Sequence, residues 1–181
     1  MSSRSWPRLA RTALSQSRPA ERPPRVAVVG VGNPLAGDDA VGSLVAESLK
    51  RRLGAQPSWL IADGATAPEN YVGKLRAFAP DLVVFVDAAE LNDRPGAARW
   101  RRLAAVAGCG ADTHGLPLSV LGEYLAAELG CDVALLGIQP GQTDFCAPPS
   151  PHIRRRARDI ARRLAGLLRD HVAASSGQDD I

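Results

Sequence analysis

A three-layer αβα sandwich with a mostly parallel sheet is the fold this sequence predicts, and two observations carry the prediction. Short Val-rich runs ended by glycine or aspartate recur along the chain, and between them apolar residues repeat at helical spacing. Strands that alternate with helices pair in parallel and place helices on both faces of the sheet. Aromatics make up only 4% of residues, so the core must come from Val, Leu, Ile and Ala.

Arg25 to Val31 (RVAVVGV) is apolar throughout and reads as a buried parallel strand. Gly30 to Gly37 is a loop. From Asp38 the pattern turns helical, with Val41, Leu44, Val45, Ser48 and Leu49 on one face. Asp38 or Asp39 suits the cap of that helix, and Gly54 stops it. Ser58 to Ala62 is a second strand, turning at Asp63-Gly64. Pro68 to Phe78 reads as a helix with proline in its first turn. Asp81 to Ala88 (DLVVFVDA) is the clearest buried strand, and Ala97 to Leu103 is a short candidate for an edge. Leu116 to Leu129 is helical, with Val120, Leu121, Tyr124 and Leu125 as its stripe. Asp132 to Ile138 is the last strand. Pro149 to Val172 is a long helix with Ile153, Ala157, Ile160, Leu164, Leu167 and Leu168 inward and many arginines outward, which reads as a solvated face.

Chain length and composition bound the organisation. The 181 residues suit one domain, expected over residues 25–172. With 45% hydrophobic and 23% charged residues, the chain is globular rather than disordered. Residues 1–24 hold five arginines and one acid, Glu21, and no apolar signal core; they read as a disordered basic extension with some likeness to a transit peptide. Residues 173–181 read as a frayed tail. Basic residues number 22 and acidic ones 19, a near balance that leaves no footprint for nucleic acid. No apolar run is long enough to insert in a membrane. Three cysteines, Cys109, Cys131 and Cys146, form no CxxC pair and read as reduced thiols of a cytoplasmic protein, expected as a monomer.

Open parallel sheets bind ligands beyond the carboxyl ends of their strands. The polar residues that follow strands here are Gly32-Asn33 with Asp38-Asp39, Asp63-Gly64, Asp87, and Gln139-Pro140, with His114 in the loop before the third long helix. Asp39, Asp87 and His114 offer two carboxylates and one imidazole, a set that suits a divalent ion such as Zn²⁺ or Ni²⁺. Each has a structural alternative: a helix cap for Asp39, a loop cap for Asp87, an ordinary loop histidine for His114. Asp38 is either a general base or a cap. Asp63 fits its turn, and His152 and His171 read as surface residues. No HExxH or GxSxG motif occurs, and Ser43 and Ser119 fall within helices. Gly30-Val31-Gly32 starts like a dinucleotide fingerprint, but Leu35 stands where the third glycine belongs.

Five segments in order carry a family resemblance: VVGVGNPLAGDDAVG (from Val28), DGATAPENYVGKLR (from Asp63), FVDAAEL (from Phe85), DTHGLPLSVLGEYL (from Asp112) and LLGIQP (from Leu135). Together they resemble the hydrogenase maturation proteases, with TAPEN and GIQP most like the branch serving the hydrogenase of formate hydrogenlyase. The resemblance implies an α/β sandwich around a five-stranded twisted sheet. It implies an endopeptidase that removes a C-terminal peptide from a [NiFe]-hydrogenase large-subunit precursor after nickel insertion. Asp39, Asp87 and His114 match the family's metal-contacting positions, and the nickel arrives with the substrate rather than being held by the enzyme. Ala65 stands where the family's DGGT turn has its second glycine. Other readings to weigh are a Rossmann-like nucleotide-binding module, a metallopeptidase with a resident metal, and a non-enzymatic hydrogenase assembly chaperone.

Overall fold

The computed structural model describes residues 5–17, 22, 24–103 and 117–176. Five strands form one sheet: β1 (Val26–Val31), β2 (Trp59–Ala65), β3 (Leu82–Ala88), β4 (Ala98–Arg102) and β5 (Asp132–Ile138). Their order is β2-β1-β3-β5-β4. The first four in that order run parallel, and β4 lies antiparallel on β5 at the edge. The α/β class and the five strands are as the sequence predicts.

The period of two along a strand explains the layers. Val26, Val28, Leu82, Val84, Val86 and Leu136 point to one face, where α2 (Val41–Leu53) and α5 (Pro151–Ser176) cover them. Ala27, Val29, Val83, Phe85 and Val133 point to the other, under α3 (Val72–Phe78) and α4 (Leu118–Leu129). Every residue of β1 is buried, as its unbroken apolar run requires of a central strand. On α2, Val41, Val45 and Leu49 are fully buried, and Gly54 ends the helix at φ +64°. On α5 the six residues of the expected inward face are all buried.

Four local expectations need correction. Residues 1–24 are not a disordered extension throughout, because Trp6–Gln16 form a helix, α1. Trp6, Ala10, Ala13 and Leu14 recur at helical spacing among the arginines, and they are buried in the same core layer as α5. Basic composition concealed that stripe. Leu14→Ala is therefore expected to cost about 2 kcal/mol, the low end for a buried leucine; a urea melt checks it, and an unchanged midpoint would mean that α1 adds nothing. Next, the long last helix runs to Ser176, so the start of the supposed tail is helical. Third, α4 turns Leu118, Leu121, Gly122 and Leu125 inward and leaves Val120 and Tyr124 about half exposed. Last, His171 is buried rather than on the surface, in the part of α5 that shares a cleft with Arg11, Leu14 and Ser15 of α1.

The second strand also runs further than expected, through Asp63 and Gly64 to Ala65, with a shift of register between Gly30 and Val31 of its partner. Ala65 takes φ +44°, a left-handed conformation easier for glycine. Among the described residues, no helix is long and apolar enough to cross a membrane.

Candidate active site

Close backbone approaches build the site. A Cβ on Gly42 would lie 2.1 Å from the carbonyl oxygens of both Val31 and Val86, so only glycine lets the first turn of α2 sit over the junction of β1 and β3. A Cβ on Gly32, at φ +142°, would lie 1.9 Å from the carbonyl oxygen of Asp39. That junction is the topological switch of the sheet, since β2 lies on one side of β1 and β3 on the other.

Asp39 and Asp87 both belong to elements at this junction. Asp39 lies on a 3-10 turn, Gly37–Ala40, that contacts β3 and precedes Gly42. Asp87 follows Val86 near the end of β3. Both are half-buried. Asp39 Oδ2 accepts a hydrogen bond from the Asn33 N–H at 2.7 Å, which fixes one oxygen. His114, the third expected ligand, and Cys109 lie outside the described residues. No group of three metal-ligating side chains occurs among the described residues.

Asp38 is 1% exposed and does something the sequence did not suggest. Its Oδ2 accepts the N–H groups of Gly141 at 2.9 Å and Gln142 at 3.1 Å, and its Oδ1 accepts that of Ser150 at 2.7 Å. Burial raises the carboxyl pKa, but the hydrogen bonds from Ser150, Gln142 and Gly141 together outweigh it and hold the value below the ordinary one. Neither Asp38 nor Asp39 caps a helix by its side chain, because α2 begins only after the 3-10 turn has turned both acids aside. A carboxylate so occupied, and so weakly basic, suits an architectural role better than proton transfer.

Other expected residues have structural partners. Asp63 lies within β2 rather than in a turn, and its Oδ1 accepts the Ser43 hydroxyl at 2.7 Å and the Ala65 N–H at 3.1 Å. Exposed His152 bonds through Nε2 to the Pro95 carbonyl at 2.9 Å. Sequence reasoning noted Gln139 but not its work: Oε1 accepts the Leu91 N–H at 2.7 Å and the amide donates to Glu90 at 3.1 Å. That amide, with the Asn92 N–H, holds the Glu90 carboxyl below its ordinary value. Ser150 was also missed, though the serine before Pro151 is a helix-start signal; its Oγ accepts the Ile153 N–H at 3.3 Å. Of the cysteines described, Cys146 is exposed, whereas burial pushes the Cys131 thiol up to about 11.

The start of the glycine loop packs tightly on α2. A Cβ on Gly30 would lie 2.3 Å from the Gly42 carbonyl oxygen, so the chain's own helix occupies that space. Two acids at the helix start would also repel an anion.

Comparison with known proteins agrees. The family model HycI, hydrogenase maturation protease, matches residues 43–166. The Hydrogenase 3 maturation protease of Escherichia coli (strain K12) is 34% identical over 137 residues, 75% of this chain and 86% of that protein. The chain belongs to the hydrogenase maturation protease family. The fold of this maturation protease matches the crystal structure of a [NiFe] hydrogenase maturation protease HycI from Thermococcus kodakarensis KOD1. Their TM-score is 0.78 at 38% identity, over 89% of this chain and 99% of that one. The Escherichia coli endopeptidase HybD, 24% identical with a TM-score of 0.68, shares the fold over 81% of this chain and 93% of its own. As a hydrogenase maturation protease, the chain is a hydrolase of peptide bonds.

Proposed function

We propose that this protease removes the C-terminal extension of a [NiFe]-hydrogenase large-subunit precursor after nickel insertion, in the cytoplasm and as a monomer. The substrate's nickel docks on Asp39, Asp87 and His114. The observation that carries the reading is the meeting of the Asp39 turn with the end of β3 across Gly42. Two carboxylates and a neutral imidazole would complete the coordination of an ion held by the substrate. Such docking sets the scissile bond in place, and placement can supply on the order of 7–11 kcal/mol of a barrier at best. The enzyme then needs no tightly held metal of its own.

The test is incubation with a candidate precursor, loaded with nickel or free of it, read by intact mass. The loaded precursor is expected to lose its tail and the nickel-free one to stay whole. Equal cleavage of both would refute nickel-guided docking. No cleavage of either, by enzyme shown to be folded, would favour an assembly chaperone.

A further inference from the structure

We propose that Leu35 and Phe145 form an apolar docking contact for the substrate protein beside the acids, and that they receive an apolar side chain of the large-subunit precursor. This rests on the function proposed above. Leu35 is 56% exposed and Phe145 is 73% exposed. One exposed apolar residue means little. These two lie on loops far apart in sequence, 33–36 after β1 and 141–150 after β5, and the fold brings the loops together. The Cys146 N–H donates to the Leu35 carbonyl at 2.7 Å, so Phe145 sits one residue from a bond to Leu35.

Both loops are pinned. The Gly37 N–H donates to the Ala147 carbonyl at 3.1 Å, and the Asp38 N–H to the Gln142 carbonyl at 2.7 Å. The Asp38 carboxylate holds Gly141, Gln142 and Ser150 from below. Asn33 Oδ1 accepts the Leu35 N–H at 2.9 Å, while the Asn33 N–H binds Asp39. The loop that presents Leu35 is thus the loop that orients a proposed nickel ligand. A slack loop could fold its phenylalanine onto the core; a pinned one keeps the ring in water until a partner covers it. Preorganised aromatic anchors of this kind dominate interface energies. Neither loop has a lysine or arginine, and besides Asp38 the only acid in 33–38 or 141–150 is Asp144. Leu35 and Phe145 themselves therefore offer an apolar contact, while Arg94 lines the neighbouring cleft with Gly141, Gln142 and Ser150.

The test uses the full-length enzyme with a nickel-loaded precursor that the wild type has been shown to cleave. Failure of the wild type would strike the function; the variants address this contact alone. Phe145→Ser is expected to raise KM about tenfold, with kcat within about twofold. Leu35→Ser should act in the same direction, and Phe145→Leu should restore most of the affinity. Melting temperatures should stay within about 2 °C, since both side chains are exposed. A double variant with wild-type KM overturns the proposal, as does a loss confined to kcat. Light scattering supplies the last arm: a wild-type dimer that the double variant converts to monomer would make a second copy the occupant and overturn the assignment.

Discussion

Asp39→Ala and Asp87→Ala are each expected to slow cleavage of nickel-loaded precursor by at least about a hundredfold, the scale of a misplaced reacting bond. Both acids belong to the carboxyl edge of the sheet rather than to its apolar layers. Asp39→Ala gives up the bond to the Asn33 N–H, about 1 kcal/mol. The folded state should therefore survive while activity does not. His114→Ala should lose activity with them. Intact-mass time courses beside thermal melts separate the two effects. Normal cleavage by two of the three variants would move the site elsewhere.

A second large effect is expected at the neighbouring acid, and there it falls on stability. Asp38→Ala strips three N–H groups of their acceptor and should cost about 3 kcal/mol. For a chain of this length that is about 6–12 °C of melting temperature. Asp38→Asn keeps the shape but turns an NH₂ toward at least one of those donors, and should lose about 2 kcal/mol. The pH dependence has a definite sign. The folded pKa lies below the unfolded one, so the stabilisation is fully present above the unfolded value, about 4, and is lost as pH falls through the lowered folded value. Urea melts from pH 7 down to 3 should show the gap between wild type and Asp38→Asn closing toward the acid end. A gap that is absent at pH 7 would mean that the clamp contributes nothing.

The strands were legible because burial on both faces leaves an apolar run that solvent-facing chain cannot imitate. DLVVFVDA and RVAVVGV are such runs, and both became central strands. The edge strand was legible as short and charged, with Arg99 and Arg101 flanking the buried Trp100. The helix at Trp6–Gln16 was not, because its stripe is only a few residues wide and arginine dominates any average over the segment. The inward face of α4 was misjudged by part of a turn, since Val120 and Tyr124 continue the apolar pattern onto an exposed side. At the candidate site, position along the chain puts Asp87 near the end of β3 and Asp39 on the turn that follows β1. What Asp38 binds could not, because its partners lie more than a hundred residues away and are backbone groups, which carry no sequence signal. The need for glycine at Gly42 was hidden for the same reason: the atoms that demand it belong to two other strands.

That clamp also dictates when the enzyme is finished. Asp38 emerges early in translation, and so do both acids of the proposed site, Asp39 and Asp87. The donors to Asp38 come from Gly141, Gln142 and Ser150, all made later. A chain made only as far as Ile138 carries the residues of all five strands but none of the donors that Asp38 uses. Only when the start of α5 has been made can Asp38 tie the two loops together, so the order of synthesis leaves this clamp until late.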